Sequence, residues 1–574
     1  TCDRPRRPHV LSPVQSPPSR VSRVCAWPVC AWIVAAGLVV ACGGADGGAS
    51  PASFGDPGSD TAAGSSEATA ASSVGSTDAA SSGGASVGTD AADTTVGDTA
   101  DASDDTGLPP ADAVTVQLVP QDGVAGTQRI NFAVPLWPAA VTDGDAVTVR
   151  HDDIDLPCSR RTLALHRDGS VRAVQIQIEL DVGSGTEIEV AFGEAGATID
   201  AIAVADTLVT PDGTQGPRVW ALLPAQWLAD SGVTGPQLPV AATTGDATAW
   251  AERCDYEAWG YDAFDTAAGD TGSWLYDRGT ALYRGYARSG ELVPLQSAYR
   301  ETARYVADSS GSGDALQIPV PGAADDLKYH YAQHAAIHYL LTGDDRFREY
   351  AEDLAARVHT LWPDPGYGGG ADFWTERHAG FALLAYVWAA MVSDDEAASI
   401  DAWADDAVAA YLAVQQDFPP GYDDADARCF AHEAEAHGED YGYVGCSPWM
   451  SAILADGLDA WIRERDDATA ATAKQALARL GRIVARDGLD GDGRPYYWMG
   501  VGTDADEIDE YDEHWGESAY VVALAWWHDG RTDDALHDAA AALVTGFANH
   551  GEIGQLRSFN WQCRSAVATP WYLQ

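Results

Sequence analysis

A change of hydrophobic period midway along this 574-residue chain predicts a multidomain protein of two fold types. An N-terminal antiparallel β-barrel or sandwich is followed by helix hairpins laid out as an inner and an outer ring. Two observations carry this. Residues 113 to about 245 alternate apolar and polar side chains between turn signals. From about residue 255 the apolar spacing becomes that of amphipathic helices, and the helices come in pairs. The expected organisation is a signal segment at 1–42, a linker at 43–112, a β-domain at 113–250 and a helical domain at 251–574.

Arg20 and Arg23 precede an apolar run from Cys25 to Cys42, about as long as a signal h-region and short for a membrane span. It ends Val39-Val40-Ala41-Cys42-Gly43, which resembles the lipobox of bacterial lipoproteins. The resemblance implies export, lipidation of Cys42 and a membrane anchored through that lipid. Gly43 after the cysteine implies onward transfer to an outer membrane, at the cell surface or in the periplasm. A plain signal peptide or anchor helix is the alternative. Residues 43–112 are almost all Gly, Ala, Ser, Thr and Asp, too polar to bury a core. Such a disordered tether has an r.m.s. span of about 45 Å.

The formal charge is −52, from 86 acidic and 34 basic residues, and most of the excess lies beyond residue 112. Nucleic acid is excluded as a partner, because phosphate binding needs a basic stripe. A polyanionic substrate could bind only where Arg and His locally reverse the field. Beyond Cys42 five cysteines remain. Cys429 and Cys446 bracket a polar loop and are the first expected disulfide, and the odd count leaves at least one thiol free.

In the β region, Val114-Thr115-Val116-Gln117-Leu118-Val119 and Val174-Gln175-Ile176-Gln177-Ile178-Glu179-Leu180 alternate cleanly. Asp168-Gly169 and Gly183-Ser184-Gly185 turn the chain. Phe132-Ala133-Val134-Pro135-Leu136 and Leu163 to Arg172 resemble the N-terminal β-barrel of rhamnogalacturonan exolyase-like proteins. In that family a "GVP" segment precedes a "W-x-DGS-x-x-W" hairpin. Here His166 and Ala173 stand where the family tends to have Trp. The hairpin is expected to be structural, with Arg172 on a solvated strand face.

Helices are expected over about 274–289, 295–308, 327–342, 344–361, 375–392, 394–415, 448–465, 469–487, 515–529 and 533–548. The first member of each pair is rich in aromatic and small residues; the second is studded with charge, as in Asp344-Asp345-Arg346-Phe347-Arg348-Glu349. This alternation is similar to the (α/α) toroid of many polysaccharide lyases and some glycoside hydrolases. Thr375-Glu376-Arg377-His378-Ala379-Gly380 resembles a recurrent "R-x-x-G" start of inner helices in such toroids.

Aromatic, histidine and charged residues crowd the start of the first helix of every pair. His330 is the first candidate for a general base, since a neutral imidazole suits that role. It shares a helix stripe with His334 and His338, but no His-Glu-x-x-His pattern is present and no metal is expected. Arg377 could neutralise a uronate carboxylate, aided by His378, and Glu376 completes that cluster; an Arg–Glu pair fixing the helix end is the plain alternative. The loop from Cys429 to Tyr443 contains a second base candidate, His437, and Tyr441 as a proton donor. Trp274, Tyr329, Trp374, Tyr443, Trp449 and Trp515 are the candidates for stacking on sugar rings, with core packing as the alternative for each Trp. Asp487 to Arg494 is read as a solvated turn. Asp490 and Asp492 have calcium-loop spacing, but Arg494, Pro495 and Val501 stand where a third ligand, glycine and glutamate belong. No cofactor is expected, with calcium there as the alternative.

Three functions compete. The first is a lipid-anchored lyase that splits a uronate-containing polysaccharide by β-elimination. The second is a glycoside hydrolase of the same architecture using paired carboxylates among Glu376, Asp277 and Glu517. The third is a non-catalytic glycan-binding surface protein.

Overall fold

Eight strands open the folded chain: β1 (Ala113–Pro120), β2 (Gly126–Pro135), β3 (Val147–His151), β4 (Ile154–Leu156), β5 (Cys158–Leu165), β6 (Val171–Val182), β7 (Thr186–Phe192) and β8 (Val219–Leu222). The structure is a computed structural model that describes residues 108, 111–365, 375–417, 425–430, 432–433, 444–500, 507–508 and 514–574. The strands form two antiparallel sheets, ordered β4-β3-β7-β1-β8 and β2-β6-β5. In β1, Val114, Val116 and Leu118 face inward in strict alternation, as the period demands. Strand β6 departs from that pattern, because its polar face is also buried. Gln175 donates to Asn131 Oδ1 at 2.7 Å, Gln177 to the Ile202 carbonyl at 2.9 Å, and Asn131 to the Thr342 carbonyl at 2.8 Å. Helical structure covers this face, so the alternating glutamines serve as buried bonding groups. Arg172 likewise is not solvated: it grips both carboxylate oxygens of Glu464 at 3.0 Å.

Among the described residues the helices are α1 (Ala225–Ser231), α2 (Ala249–Arg253), α3 (Tyr261–Ala267), α4 (Arg278–Ser289), α5 (Leu292–Ala307), α6 (Gln333–Thr342), α7 (Asp345–Leu361), α8 (Glu376–Val392), α9 (Ala397–Asp417), α10 (Ser451–Arg463), α11 (Ala468–Asp487), α12 (Trp515–His528), α13 (Asp534–His550), α14 (Leu556–Arg564) and α15 (Thr569–Tyr572). An antiparallel sheet region followed by a helical region is therefore observed, as expected. None of the helices is long and apolar enough to cross a membrane.

All ten expected helices are present. Three of the second members carry side-chain caps: Asp344 on α7, Asp467 on α11 and Asp533 on α13. They bury one face, as with Phe347, Tyr350, Ala351, Leu354 and Val358 of α7. The first members are buried nearly all round, most completely α6, every residue of which is buried. Gly343 makes the sharp link between α6 and α7 with φ 68°, and a Cβ there would collide with Gln175 of β6. Gly380 lets α8 lie directly on α10, since a Cβ would stand 2.5 Å from the Ile453 carbonyl carbon. Packing runs from α4 to α6, α8, α10, α12 and α14, and α14 packs back on α4. Of the others, α5 packs on α4 and α6, α7 on α6 and α8, α9 on α8, α11 on α10 and α12, and α13 on α12.

Cys429 and Cys446 form the expected disulfide. Cys254 pairs with Cys563 across 309 residues, and among the described residues Cys158 is a free, buried thiol. The long bridge ties the chain ahead of α3 to α14. Replacing both its cysteines by Ser is expected to destabilise the fold by about 2–5 kcal/mol in urea unfolding under oxidising conditions. An unchanged midpoint would show that the bridge constrains nothing.

Candidate functional site

The starts of the first helices meet around Arg377. Thr375 caps α8 by accepting from His378 N at 3.4 Å, and places Arg377 in the first turn. Arg377 Nη1 donates to the Tyr276 phenol oxygen at 3.0 Å, and its guanidinium lies 5.6 Å from the Trp449 ring centre. Trp449 stacks on His514 at 4.5 Å, and Trp561 of α14 lies 4.9 Å from both Tyr276 and His514. Tyr497 closes the group, 5.7 Å from Trp449. Residues from five segments far apart in the chain thus build one aromatic cluster around a guanidinium.

Tyr276 enters this cluster from a strained turn. Tyr276 and Asp277 both have positive φ, 71° and 51°, a conformation that costs non-glycine residues of order 1 kcal/mol or more each. Their surroundings hold them there. Tyr276 N donates to Tyr331 Oη at 3.0 Å, and Asn560 donates to the Leu275 carbonyl at 2.6 Å. Asp277 caps α4, accepts from the Thr280 hydroxyl at 2.7 Å and from His334 Nδ1 at 2.7 Å. Burial opposes ionisation of Asp277, but His334 and Arg564 outweigh it and hold the carboxyl below its usual range.

Beneath lies a polar network. Asp456 of α10 accepts from Arg284 at 3.1 Å, Arg564 at 2.9 Å, Tyr520 at 3.1 Å and Ser565 at 3.1 Å. Arg564 also donates to Gln333 Oε1 at 2.5 Å. Arg278 pairs with Glu301 at 2.9 Å, and burial still pushes that carboxyl up to about 7.

Three carboxylates stand at helix starts near the cluster. Glu376 Oε1 accepts from Ser447 N at 3.1 Å. Glu517 is buried, 3.7 Å from His514 Nδ1, and neither of its oxygens has a hydrogen-bond partner among the described residues. Asp277 is committed to the turn.

The histidines divide by role. His378 is clamped, with Nδ1 2.7 Å from Thr375 Oγ1 and Nε2 3.4 Å from Asp326. His330 precedes α6 rather than lying on it, because a single 3-10 turn at Leu327–Tyr329 ends there. Its Nδ1 bonds the Asp326 carbonyl at 2.9 Å, which leaves the lone pair on Nε2, a buried atom without a partner among the described residues. His338 is packed flat on Phe347 at 3.6 Å and bonds Tyr283. Burial lowers His330, His378 and, in the β region, His166 from 6.5 to about 4. These groups stay neutral in the fold while the unfolded chain takes up protons, so stability is full above 6.5 and is lost as pH falls toward 4. Glu301 works the other way between 4.5 and about 7, against these histidines and His338, which burial also lowers. The urea midpoint is expected to drop between pH 6.5 and pH 4; a flat profile would contradict neutral buried imidazoles.

The stacking candidates separate too. Trp274 packs edge-on to Phe264 at 4.8 Å and donates to the Ala268 carbonyl at 2.9 Å. Trp515 is wedged against Gly546 and His550, and Tyr329 is buried beside Lys328. Trp449 alone of these joins the Arg377 cluster. Trp374, His437, Tyr441, Tyr443 and Cys42 lie outside the described residues. Tyr276, His514, Trp561 and Tyr497 are not among the site residues that the sequence singles out. The "Tyr-Asp" ahead of α4 was visible, but its left-handed backbone was not. Asp490 Oδ1 accepts from Asp492 N and Arg494 N, both at 2.9 Å, closing a turn.

No family model and no curated protein matches the chain. Among solved structures it is similar to a "sugar epimerase from ruminal bacterium", with 12% identity over 52% of this chain and 87% of that one, and a TM-score of 0.36. A likeness of that size carries no argument about fold or chemistry.

Proposed function

We propose that the helical region is an (α/α) toroid and that the protein cleaves a uronate-containing polysaccharide by β-elimination at the Arg377 cluster. The cyclic packing order from α4 through α14 and back to α4 supports the toroid. The observation that carries the reaction is the Arg377–Tyr276 hydrogen bond amid stacked Trp449, His514 and Trp561.

Elimination removes the proton beside the uronate carboxylate, breaks the adjacent carbon–oxygen bond, and leaves a C=C bond and a protonated leaving oxygen. Arg377 would pair with the carboxylate and stabilise the enolate-like charge as the proton departs. His514 is the base that the stacking favours, with Glu517 3.7 Å behind its Nδ1. His330 has the lone pair for that role, but bonds Asp326 rather than the cluster. His378, held between Thr375 and Asp326, would orient the start of α8. The Tyr276 phenol, 3.0 Å from Arg377, would protonate the leaving oxygen; Tyr441 was the sequence-based candidate. Trp449 and Trp561 would carry the sugar faces. A lipid at Cys42 and the 43–112 tether would hold the enzyme on a membrane.

Glu517 favours a second reading. A buried carboxylate with both oxygens unbonded among the described residues suits a glycosidase acid or base, with Glu376 as partner. Incubation with a panel of polyuronates tests the choice. Ultraviolet absorbance from a new C=C bond supports elimination; reducing ends from a neutral glycan, with no absorbance on any polyuronate, would sink it.

A further inference from the structure

Helix α8 is 17 residues long, roughly 25 Å, and its other end meets a second cluster of charge. Glu352 of α7 faces Asp394 and Asp395 in the link between α8 and α9, with one oxygen of each carboxylate lying within 4.8 Å of the others. Acidic groups gather easily on so acidic a surface. A second observation sets these apart. Glu352 is only 6% exposed, and its Oε1 has no hydrogen-bond partner among the described residues. A buried, unbonded carboxylate oxygen is costly unless it takes a proton or a cation.

The local charge favours a cation. Arg348 pairs with Asp394 at 2.5 Å and donates to Glu349, one guanidinium against the four carboxylates Glu349, Glu352, Asp394 and Asp395. Burial raises Glu352, and the Ser393 hydroxyl and Arg348 only partly oppose it. The donors are all oxygens, two of them on a short link that Ser393 closes by accepting from Glu396 N at 3.0 Å. Hard divalent cations take such sets, and calcium tolerates the irregular geometry of a helix plus a loop better than magnesium does.

We propose that Glu352, Asp394 and Asp395 bind a calcium ion that ties α7 to the α8–α9 link. The site lies at the end of α8 opposite Arg377, so it serves stability and is independent of the proposed chemistry.

Thermal unfolding of the full chain, stripped with EDTA and then given calcium chloride or magnesium chloride, tests this. Calcium is expected to raise the wild-type Tm by several degrees. The rise should vanish in Glu352→Gln and in Asp395→Asn, with both variants unfolding cooperatively in EDTA. No rise in the wild type would overturn the site. An equal rise in both variants would put the ion elsewhere and overturn it as well. A response to magnesium but not to calcium would overturn the assignment of the ion.

Discussion

Arg377→Ala is expected to abolish elimination, lowering turnover by at least about 10²–10³-fold, the usual effect of removing a group aimed at developing charge. Arg377 sits in the first turn of α8, bonded to Tyr276 and beside the Trp449 ring, while the Asp456 network beneath is built by Arg284, Arg564, Tyr520 and Ser565. The variant should therefore keep its circular dichroism and urea midpoint while losing activity. Arg377→Lys should recover little, because a point charge cannot hold the phenol and a carboxylate in one plane. His514→Ala should fall nearly as far and His330→Ala much less. The reverse order would move the base to His330. Unchanged turnover in Arg377→Ala would remove it from the mechanism.

Asp456→Ala is expected to have the largest effect on folding. The carboxylate is 3% exposed and joins α10 to α4, α12 and α14 through Arg284, Tyr520 and Arg564. Burial disfavours its charge, yet the two guanidiniums hold it down to about 2. Its removal leaves two buried cations with the wrong environment, at a cost of about 3–5 kcal/mol. The sign of the pH effect follows: the contribution is complete above the ordinary value of 3.8 and is lost as pH falls toward about 2. Urea unfolding checks this, and a loss no larger than that of Asp490→Ala in its exposed turn would contradict it.

Much of the fold was legible because the signals were local. Apolar spacing and capping aspartates located the helices from α4 to α13, with starts within about four residues except at α6 and the ends closer still. The expected pile-up at helix starts is one place in space for Tyr276, Arg377, Trp449 and His514. What stayed hidden depends on contacts between distant segments. Helix α14, Leu-Arg-Ser-Phe-Asn-Trp-Gln-Cys-Arg, has no side-chain cap, yet its Asn560, Trp561 and Arg564 bind the turn, the cluster and Asp456. The left-handed Tyr276 and Asp277 carry no sequence mark, since their neighbours impose that conformation. Trp274 and Trp515 looked equal to Trp449 along the chain, and only packing distinguishes a core ring from one beside a guanidinium. The helical spacing places His330 on a helix, whereas Asp326 caps a separate 3-10 turn ahead of it.

Cleavage of a uronate-containing polymer in heavy-oxygen water tests the central claim most directly. Elimination adds no water across the broken bond. The account predicts products with a new C=C bond and no heavy oxygen incorporated at the cleaved linkage, as read by mass spectrometry. Saturated products carrying one heavy oxygen at each new reducing end would contradict it and hand the site to hydrolysis by Glu517 and Glu376.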